Sequence, residues 1–234
     1  MHPALYLITA TLGETPPKQV LPEYNIEIIS RISYFIVENI RTARRFIKSI
    51  LPNTDIDALT FFTLNKHTSP DDIAGYLNPL SDNKSIGIIS EAGCPCVADP
   101  GADVVAIAQM RNFKVVPLVG PSSILLALMA SGFNGQSFTF HGYLPIDAAE
   151  RSKFLKLLEQ NIITRNQTQI FIETPFRNNK MLENIIRNCR PQTKLCIAAD
   201  ITLPTEFIKT KSIEDWKKHF PDLNKRPCIF LLYK

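Results

Sequence analysis

Four carboxylates stand near the ends of apolar segments that are typical of β-strands, and each could remove a proton from a reacting hydroxyl group. They are Glu38, Glu91, Asp99 and Glu173. A carboxylate within hydrogen-bond reach of a hydroxyl can act as its general base. Carboxylates in such loops also cap helices and form ion pairs. The sequence therefore defines four candidates for a base and does not choose among them.

Basic residues form a second set that could do chemistry. One face of a predicted helix is wholly basic, while its complementary positions are apolar, and that face carries Arg41, Arg44, Arg45 and Lys48. Arg177 follows a later predicted strand. These arginines could bind phosphate or carboxylate groups of a substrate, or they could belong to an ordinary solvated surface. The net charge of +4 permits an anionic partner without requiring one.

Three loops follow predicted strands in the position where open α/β sheets bind ligands. They cover residues 9–13, 90–101 and 119–123. None of them contains the dinucleotide fingerprint G-x-G-x-x-G, and the chain has no G-x-x-x-x-G-K-[ST] loop for a nucleoside triphosphate. With dinucleotides and nucleoside triphosphates disfavoured, the loops are expected to bind a cofactor that has no phosphate groups. The small side chains and accessible backbone of Ala92, Gly93 and Cys94 are compatible with S-adenosylmethionine.

Cysteines and histidines indicate neither a disulfide framework nor a metal site. The five cysteines are scattered, and only Cys94 and Cys96 are close enough in sequence to begin a metal site. Zinc requires four ligands, and no second pair with suitable spacing follows. His67 and His141 come after predicted strands, where a lone histidine is usually a satisfied polar residue. We expect reduced thiols and no bound metal.

Short apolar runs alternate with helical patterns, which is typical of strand–helix–strand units and a largely parallel sheet. Strands are predicted at 4–8, 34–37, 59–64, 85–89, 114–118, 137–140, 168–172, 194–199, 206–210 and 228–232. Helices are predicted at 23–33, 42–50, 71–80, 102–111, 124–130, 148–160 and 177–189, with a further one opened by Ser212. The pattern loosens over 132–145, so we expect α/β domains at 1–134 and 135–234.

No apolar run approaches the roughly 18 residues that a membrane-spanning helix needs. The first residues also lack the charged segment and cleavage site of a secretory signal. The sequence therefore predicts a cytoplasmic protein without a membrane partner.

Six segments come in the order and approximate spacing of a known superfamily. They are Thr-Leu-Gly at 11–13, Ser-Glu-Ala-Gly-Cys-Pro at 90–95, Asp-Pro-Gly at 99–101, Val-Pro-Leu-Val-Gly-Pro-Ser-Ser at 116–123, Gly-Tyr-Leu-Pro at 142–145 and Glu-Thr-Pro-Phe-Arg at 173–177. In these segments the chain resembles the tetrapyrrole-methylase superfamily, and within it the methyltransferases that modify ribose in small-subunit ribosomal RNA. The resemblance covers residues 4–206, which is most of the chain.

The resemblance implies a two-domain α/β enzyme, with a mostly parallel N-terminal sheet covered by helices on both faces and a second α/β domain. It implies S-adenosylmethionine in the cleft between the domains, a homodimer, and ribosomal RNA or the small ribosomal subunit as partner. By the same resemblance, Glu38, Arg41 and Arg177 lie on the substrate side. The residues that it assigns to the cofactor are Thr11, Leu12, Gly13, Ala92, Gly93, Cys94, Ser122, Ser123, Glu173 and Thr202.

The chain departs from the family pattern at three places. Glu91 replaces an aspartate, which moves its carboxylate, and such a shift can matter in a site. Asn39 replaces the aspartate of Glu-Asp-Thr-Arg, and Ala199 with Asp200 replaces Arg-Glu. Two alternatives therefore stay open. One is a tetrapyrrole or precorrin methylase, in which the arginines bind substrate carboxylates, and the other is a catalytically silent scaffold that binds S-adenosylmethionine or RNA.

Overall fold

A computed structural model describes residues 3–65 and 67–234, which divide between two compact units, Met1–Ser122 and Ser123–Lys234. The sequence predicts the domain boundary at 134/135, twelve residues later. Helix α7 (Ser123–Ser131) accounts for the difference, because it packs on strands of the second unit. The boundary of independently folding domains stays a prediction.

The first unit alternates strands with helices, as the sequence predicts. Its strands are β1 (Leu5–Ile8), β2 (Tyr34–Val37), β3 (Thr60–Thr63), β4 (Ile86–Ile89) and β5 (Val115–Pro117). Its helices are α1 (Pro17–Val20), α2 (Glu23–Ile29), α3 (Ile40–Ile50), α4 (Pro70–Tyr76), α5 (Asn78–Ser81) and α6 (Gly101–Met110). A 3-10 helix, Ile56–Ala58, precedes β3. The strands form a parallel sheet in the order β3-β2-β4-β1-β5.

Helices cover both faces of this sheet because successive side chains of a strand point to opposite faces and both sets are apolar. On one face Tyr6 is buried in a cluster with Ile47 of α3. On the other face Leu5 is buried in a cluster with Val104 of α6. A parallel sheet enclosed in this way leaves its strand ends as the place where a ligand can reach it.

The second unit is built on a mixed sheet. Its strands are β6 (Phe138–Tyr143), β7 (Thr168–Ile172), β8 (Lys194–Ala199), β9 (Phe207–Ser212) and β10 (Cys228–Tyr233), in the order β6-β7-β10-β8-β9. Only β6 and β7 pair in parallel; the other pairs are antiparallel. The remaining helices are α8 (Ala148–Arg165), α9 (Asn178–Asn188) and α10 (Ile213–Lys218), and a 3-10 helix, Pro175–Arg177, precedes α9. The predicted α/β fold is thus confirmed.

Two elements differ from the sequence prediction for identifiable reasons. The single helix predicted at 71–80 is two helices, α4 and α5, and Pro79 has no N–H with which to continue the first helix. The strand predicted at 137–140 continues to Tyr143 through an irregularity where Gly142 has a φ of +63°. The residues just after Phe140 therefore belong to the sheet and not to the predicted linker at 132–145.

Among residues 3–65 and 67–234, no helix is long and apolar enough to cross a membrane. Within the same ranges, no three His, Cys, Asp or Glu side chains are grouped to hold a metal ion.

Candidate active site

Three strand-end loops of the first unit contact one another, as expected for the carboxyl ends of neighbouring parallel strands. The backbone N–H of Ala10 donates to the carbonyl of Gly93 at 2.9 Å, and Cys94 Sγ lies 3.6 Å from the carbonyl oxygen of Pro121. Gly93 has a φ of +69°, and a Cβ there would lie 3.0 Å from Leu12 Cδ2. Only glycine fits this conformation and this approach without strain.

A pocket of about 520 Å³ opens beside these loops. It is lined by residues 10–17, by one side of α3 and by the end of β4 with the two residues that follow it. This volume lies within the range of small-molecule sites. The pocket thus brings Thr11, Leu12, Gly13 and Glu91 together with Arg45. Arg45, a predicted substrate residue, therefore lies beside a predicted cofactor loop.

The loop at 90–101 is ordered by hydrogen bonds among its own residues. Ser90 Oγ donates to the carbonyl of Gly93 at 3.0 Å. Asp99 Oδ1 accepts from the backbone N–H of Cys96 at 2.9 Å and from that of Gly101 at 2.7 Å. Burial, with the charge of Asp99, raises the pKa of the Cys96 thiol to about 12, so this cysteine stays protonated at neutral pH. Asp99 Oδ1 thus organises the loop. Its Oδ2 is buried without a hydrogen-bond partner among the described residues, and burial raises the pKa of the Asp99 carboxyl, so Asp99 stays a candidate for the base.

Glu38 has the electrostatic environment of a base. It follows β2, and β2 pairs with β4, whose last residue Ile89 lies opposite Val37. Burial, together with the negative charges of Asp99 and Glu91, raises the pKa of the Glu38 carboxyl, and a hydrogen bond from the Glu91 backbone N–H opposes this shift. A carboxyl whose pKa is raised accepts a proton more readily near neutral pH. Glu91 itself is exposed at the pocket.

The basic face of α3 is only partly available for a ligand. Arg44 forms an ion pair with Asp57, and Lys48 Nζ donates to two backbone carbonyls, at 2.7 and 3.1 Å. Arg41 and Arg45 are exposed, and the guanidinium group of neither makes a hydrogen bond or ion pair within the described part of the chain. These two arginines are the ones that can meet an anion.

Asn39 keeps the local role that an aspartate would have. Its Oδ1 accepts from the backbone N–H of Arg41 at 2.9 Å and from that of Thr42 at 3.3 Å, so it caps the N-terminus of α3. Asparagine and aspartate are equally good in this position. The departure at Asn39 therefore leaves the start of the helix intact.

In the second unit, Glu173 is held by its neighbours. It is 8% exposed, and its Oε1 accepts from Arg177 Nε at 3.0 Å, Arg177 Nη2 at 2.6 Å and the Thr174 N–H at 2.6 Å. A carboxylate with three donors on one oxygen is poorly placed to take a proton from a substrate. Glu173 positions Arg177, which argues against Glu173 as the base.

The loop after β8 has an anchor that the sequence does not reveal. Asp200 and Thr202 have φ values of +52° and +73°, although neither is glycine. The Asp200 carboxylate is 2.7 Å from Arg226 Nε and accepts from Thr205 Oγ1 at 3.0 Å. Arg226 lies 26 residues along the chain, and nothing local in the sequence indicates this pairing. Such backbone strain persists only where the surroundings fix it.

Three further residues named from the sequence are His141, Ser122 and Ser123. His141 Nε2 shares a hydrogen bond of 2.8 Å with Gln169 Oε1, which is consistent with a satisfied polar residue. Ser122 ends the first unit, and Ser123 begins α7 in the second.

Residues that line the pocket and were not predicted include Thr42, Phe46 and Ser49. Their spacing of three to four places them on one side of α3, but the sequence does not reveal which side meets the loop at 11–13.

Comparisons with known proteins point to one kind of enzyme. No family model matches the chain. The Ribosomal RNA small subunit methyltransferase I of Buchnera aphidicola subsp. Schizaphis graminum is 30% identical over 213 residues, which cover 87% of this chain and 73% of that protein. The protein of the same name from Vibrio cholerae is 28% identical over 207 residues, which cover 88% of this chain and 68% of that protein.

Among solved structures, the methyltransferase CobJ has a TM-score of 0.66 at 14% identity, with 99% of this chain and 94% of that chain covered. At this identity the likeness concerns the fold.

Proposed function

Because the chain belongs to the family of ribosomal RNA small subunit methyltransferase I, we propose that it transfers the methyl group of S-adenosylmethionine to a ribose 2'-hydroxyl of small-subunit ribosomal RNA. It is a methyltransferase, as the sequence predicts. The observation that carries the proposal is the contact among the loops after β1, β4 and β5 around Gly93, whose positive φ and close approach to Leu12 favour glycine.

The residues present suit this cofactor. The pocket has room for a nucleoside, and its lining offers Glu14 and Glu91 to cationic groups. Gly93 is buried beside this pocket, where a Cβ would lie 3.0 Å from Leu12 Cδ2 and 3.4 Å from the Pro121 carbonyl oxygen, so the three loops approach one another closely there. When bound, S-adenosylmethionine supplies a methyl group activated by its sulfonium. The residues proposed to hold it remain Thr11, Leu12, Gly13, Ala92, Gly93, Cys94, Ser122, Ser123, Glu173 and Thr202.

Glu38 is the proposed general base. Of the other candidates, Glu173 accepts three hydrogen bonds on one oxygen, and Asp99 holds the loop at 90–101 in place through Oδ1, although burial raises the pKa of its carboxyl as well. The raised pKa of the Glu38 carboxyl suits a group that removes a proton from a ribose hydroxyl as the methyl group transfers. The hydrogen bond from the Glu91 N–H orients the carboxylate and stabilises its ionised form. Glu91, at the pocket itself, is the second candidate.

Arg41 and Arg45 are the proposed contacts to backbone phosphates of the RNA, together with Arg177 of the second unit. From the sequence Arg44 is an equal candidate, but its ion pair with Asp57 makes it weaker than Arg41 and Arg45, whose guanidinium groups have no such partner among the described residues. Phosphate contacts release counterions, so binding that depends on them weakens steeply as salt increases. Binding of RNA should therefore have a strong dependence on salt.

The homodimer implied by the resemblance and the cytoplasmic location predicted from the sequence are part of the same proposal. Sedimentation equilibrium of the purified protein tests the first. Fractionation of cells that carry a tagged copy tests the second.

Transfer of radiolabelled methyl groups tests the proposed reaction. Small ribosomal subunits from a strain lacking this modification should become labelled on ribose, whereas uroporphyrinogen and precorrin substrates should not. Label in a tetrapyrrole instead would favour the methylase alternative. S-adenosylmethionine should also raise the midpoint of thermal unfolding, since it binds the native state. A shift without transfer to any acceptor would favour a silent scaffold, and no shift at saturation would contradict the proposal.

A further inference from the structure

Large apolar side chains are exposed together at one edge of the second sheet, where the parallel strands β6 and β7 end. Tyr143 ends β6 and pairs in register with Ile172, the last residue of β7. Tyr143 is 56% exposed, and Ile146 and Phe176, which follow the two strands, are 75% and 74% exposed. A group of exposed large apolar residues marks an interaction surface.

A small, positively charged pocket lies at the same edge. Its volume is about 60 Å³, and its lining includes Ile146, Glu173 and three cations, Arg151, Arg177 and Lys180. Three cations against one carboxylate leave an excess of positive charge. This volume is well below the roughly 300 Å³ at which typical small-molecule sites begin, so the pocket suits the oxygens of one phosphate better than a nucleoside.

Two of the cations are fixed in place before any ligand arrives. Arg177 is held by the Glu173 carboxylate through two hydrogen bonds, of 2.6 and 3.0 Å. Arg151 is only 6% exposed, and its Nη1 donates to the carbonyls of Pro145 and Ile146 at 3.2 and 2.8 Å. Its buried Nε has no hydrogen-bond partner among the residues described. Cations held in this way bind an anion with little loss of side-chain entropy.

We infer that Tyr143, Ile146, Phe176, Arg177 and Lys180 form a contact surface for a single-stranded segment of RNA. A backbone phosphate meets the cations at the pocket, and neighbouring bases stack on Tyr143 and Phe176. Exposed aromatic rings beside cations are the elements of single-strand recognition, because stacking on a side chain requires a base that is free of its own duplex. The inference rests on the proposed function and adds to it a second contact and a chemical class, unpaired RNA.

An exposed aromatic elsewhere in the same unit provides a matched control. Fluorescence anisotropy with a labelled single-stranded RNA from the small subunit should show that Phe176→Ala raises the Kd by about five- to 100-fold. Phe220→Ala, which removes a ring that is 40% exposed, should leave the Kd unchanged. Equal values for the two variants would overturn the inference.

The contribution of positive charge to RNA binding is measured separately, through the dependence of binding on salt. Lys180→Ala should reduce the slope of log K against log salt by about 0.7, the value for one phosphate contact on a single strand. Lys156→Ala, an exposed lysine of α8, should leave the slope unchanged. A duplex of the same sequence should bind no more weakly to Phe176→Ala than to the wild type. Preferential loss of duplex binding would contradict the assignment to unpaired RNA.

Two further measurements separate this inference from its premise. If the wild type methylates small subunits and Phe176→Ala does so with unchanged KM and RNA affinity, the contact surface is wrong while the proposed function stands. If no acceptor is methylated but the anisotropy results hold, the function is wrong while the contact surface stands. Sedimentation of Phe176→Ala and Tyr143→Ala should match the wild type, since loss of self-association would assign the patch to a second copy of the chain.

Discussion

Two loops of the molecule hold strained backbone in different ways. In the first unit, the loop at 90–101 contains Cys96 and Ala98 with φ values of +68° and +60°. In the second, the loop after β8 contains Asp200 and Thr202 with φ values of +52° and +73°. Each loop depends on an aspartate. Asp99 accepts from N–H groups two and three residues away, whereas Asp200 pairs with an arginine 26 residues away.

The difference shows how a loop can be specified. Hydrogen bonds between near neighbours form whenever the local backbone folds, so residues within the loop at 90–101 determine its conformation. The loop after β8 depends on the register of β10 beside β8, where Cys228 lies opposite Ala199. Arg226, two residues before β10, reaches Asp200 only in that register. We expect the first loop to resist single substitutions that keep its acceptor, and the second to fail when its distant anchor is lost.

The largest expected effect is on chemistry, at Glu38, which accepts a hydrogen bond from the Glu91 N–H of the first loop. Glu38→Gln keeps the size of the side chain and removes the proposed base, so kcat should fall by about 10²- to 10⁴-fold. The midpoint of thermal unfolding should not fall, because the substitution removes a partly buried charge beside Asp99 and Glu91. Asn39→Asp, a change at the cap of α3, is a matched control and should leave kcat nearly unchanged. Equal activity of Glu38→Gln and wild type would assign the base elsewhere.

The next effect concerns the distant anchor of the second loop. Arg226→Ala leaves the Asp200 carboxylate, which is 8% exposed, without its ion-pair partner. The free energy of unfolding should fall by about 2 kcal/mol, less than for a fully buried pair because Arg226 is partly exposed. Urea unfolding measures this change. Lys225→Ala, at the exposed neighbouring residue, should change stability by less than about 0.5 kcal/mol.

Substitution in the loop at 90–101 should lower the free energy of unfolding by a smaller amount. Asp99→Ala removes the acceptor of two backbone N–H groups and should lower the free energy of unfolding by about 1 kcal/mol. Asp99→Asn keeps an oxygen in that position and should be within about 0.5 kcal/mol of the wild type. If Asp99→Ala proves more destabilising than Arg226→Ala, the contrast between local and distant anchoring is wrong.

The smallest effect is a pH dependence of stability that arises at Glu38, next to the first loop. The Glu38 carboxyl has a pKa above its ordinary value of 4.5, so the folded state holds this proton more tightly than the unfolded state. Its contribution to stability therefore decreases as the pH rises from about 4.5 through the raised pKa. Thermal unfolding of Glu38→Gln and wild type at several pH values should show a difference that grows in favour of the variant. A difference that shrinks as the pH rises would contradict the assigned direction.

The sequence predicts the parts of the fold and site that depend on near neighbours. The parallel sheet, its strand-end loops and the helix that begins after Ser212 all follow from local patterns. It does not predict the spatial order of the strands, in which β2 lies between β3 and β4. That order, which local spacing does not fix, brings Glu38 beside Glu91. The sequence likewise does not predict the ion pair of Arg226 with Asp200, because that pair depends on the register of β10 beside β8.

The remaining site residues stay predictions for the same reason. The contacts of Leu12, Gly93 and Cys94 lie within one unit, and local motifs identify them. Assignments such as Glu173 and Thr202 to the cofactor rest on the resemblance alone. Asp200→Asn, which weakens the anchor of its loop, would test the contribution of Thr202 through the affinity for S-adenosylmethionine.

The central claim is that the loops after β1, β4 and β5 converge at Gly93 into a site for S-adenosylmethionine. Isothermal titration of S-adenosylmethionine into the wild type, Gly93→Ala and Gly75→Ala tests it most directly. Gly93 has a φ of +69° and a Cβ there would meet Leu12 at 3.0 Å, whereas no atom lies within 4 Å of a Cβ at Gly75. Gly93→Ala should weaken binding by at least about tenfold while Gly75→Ala binds like the wild type. Wild-type affinity in a folded Gly93→Ala variant would contradict the account.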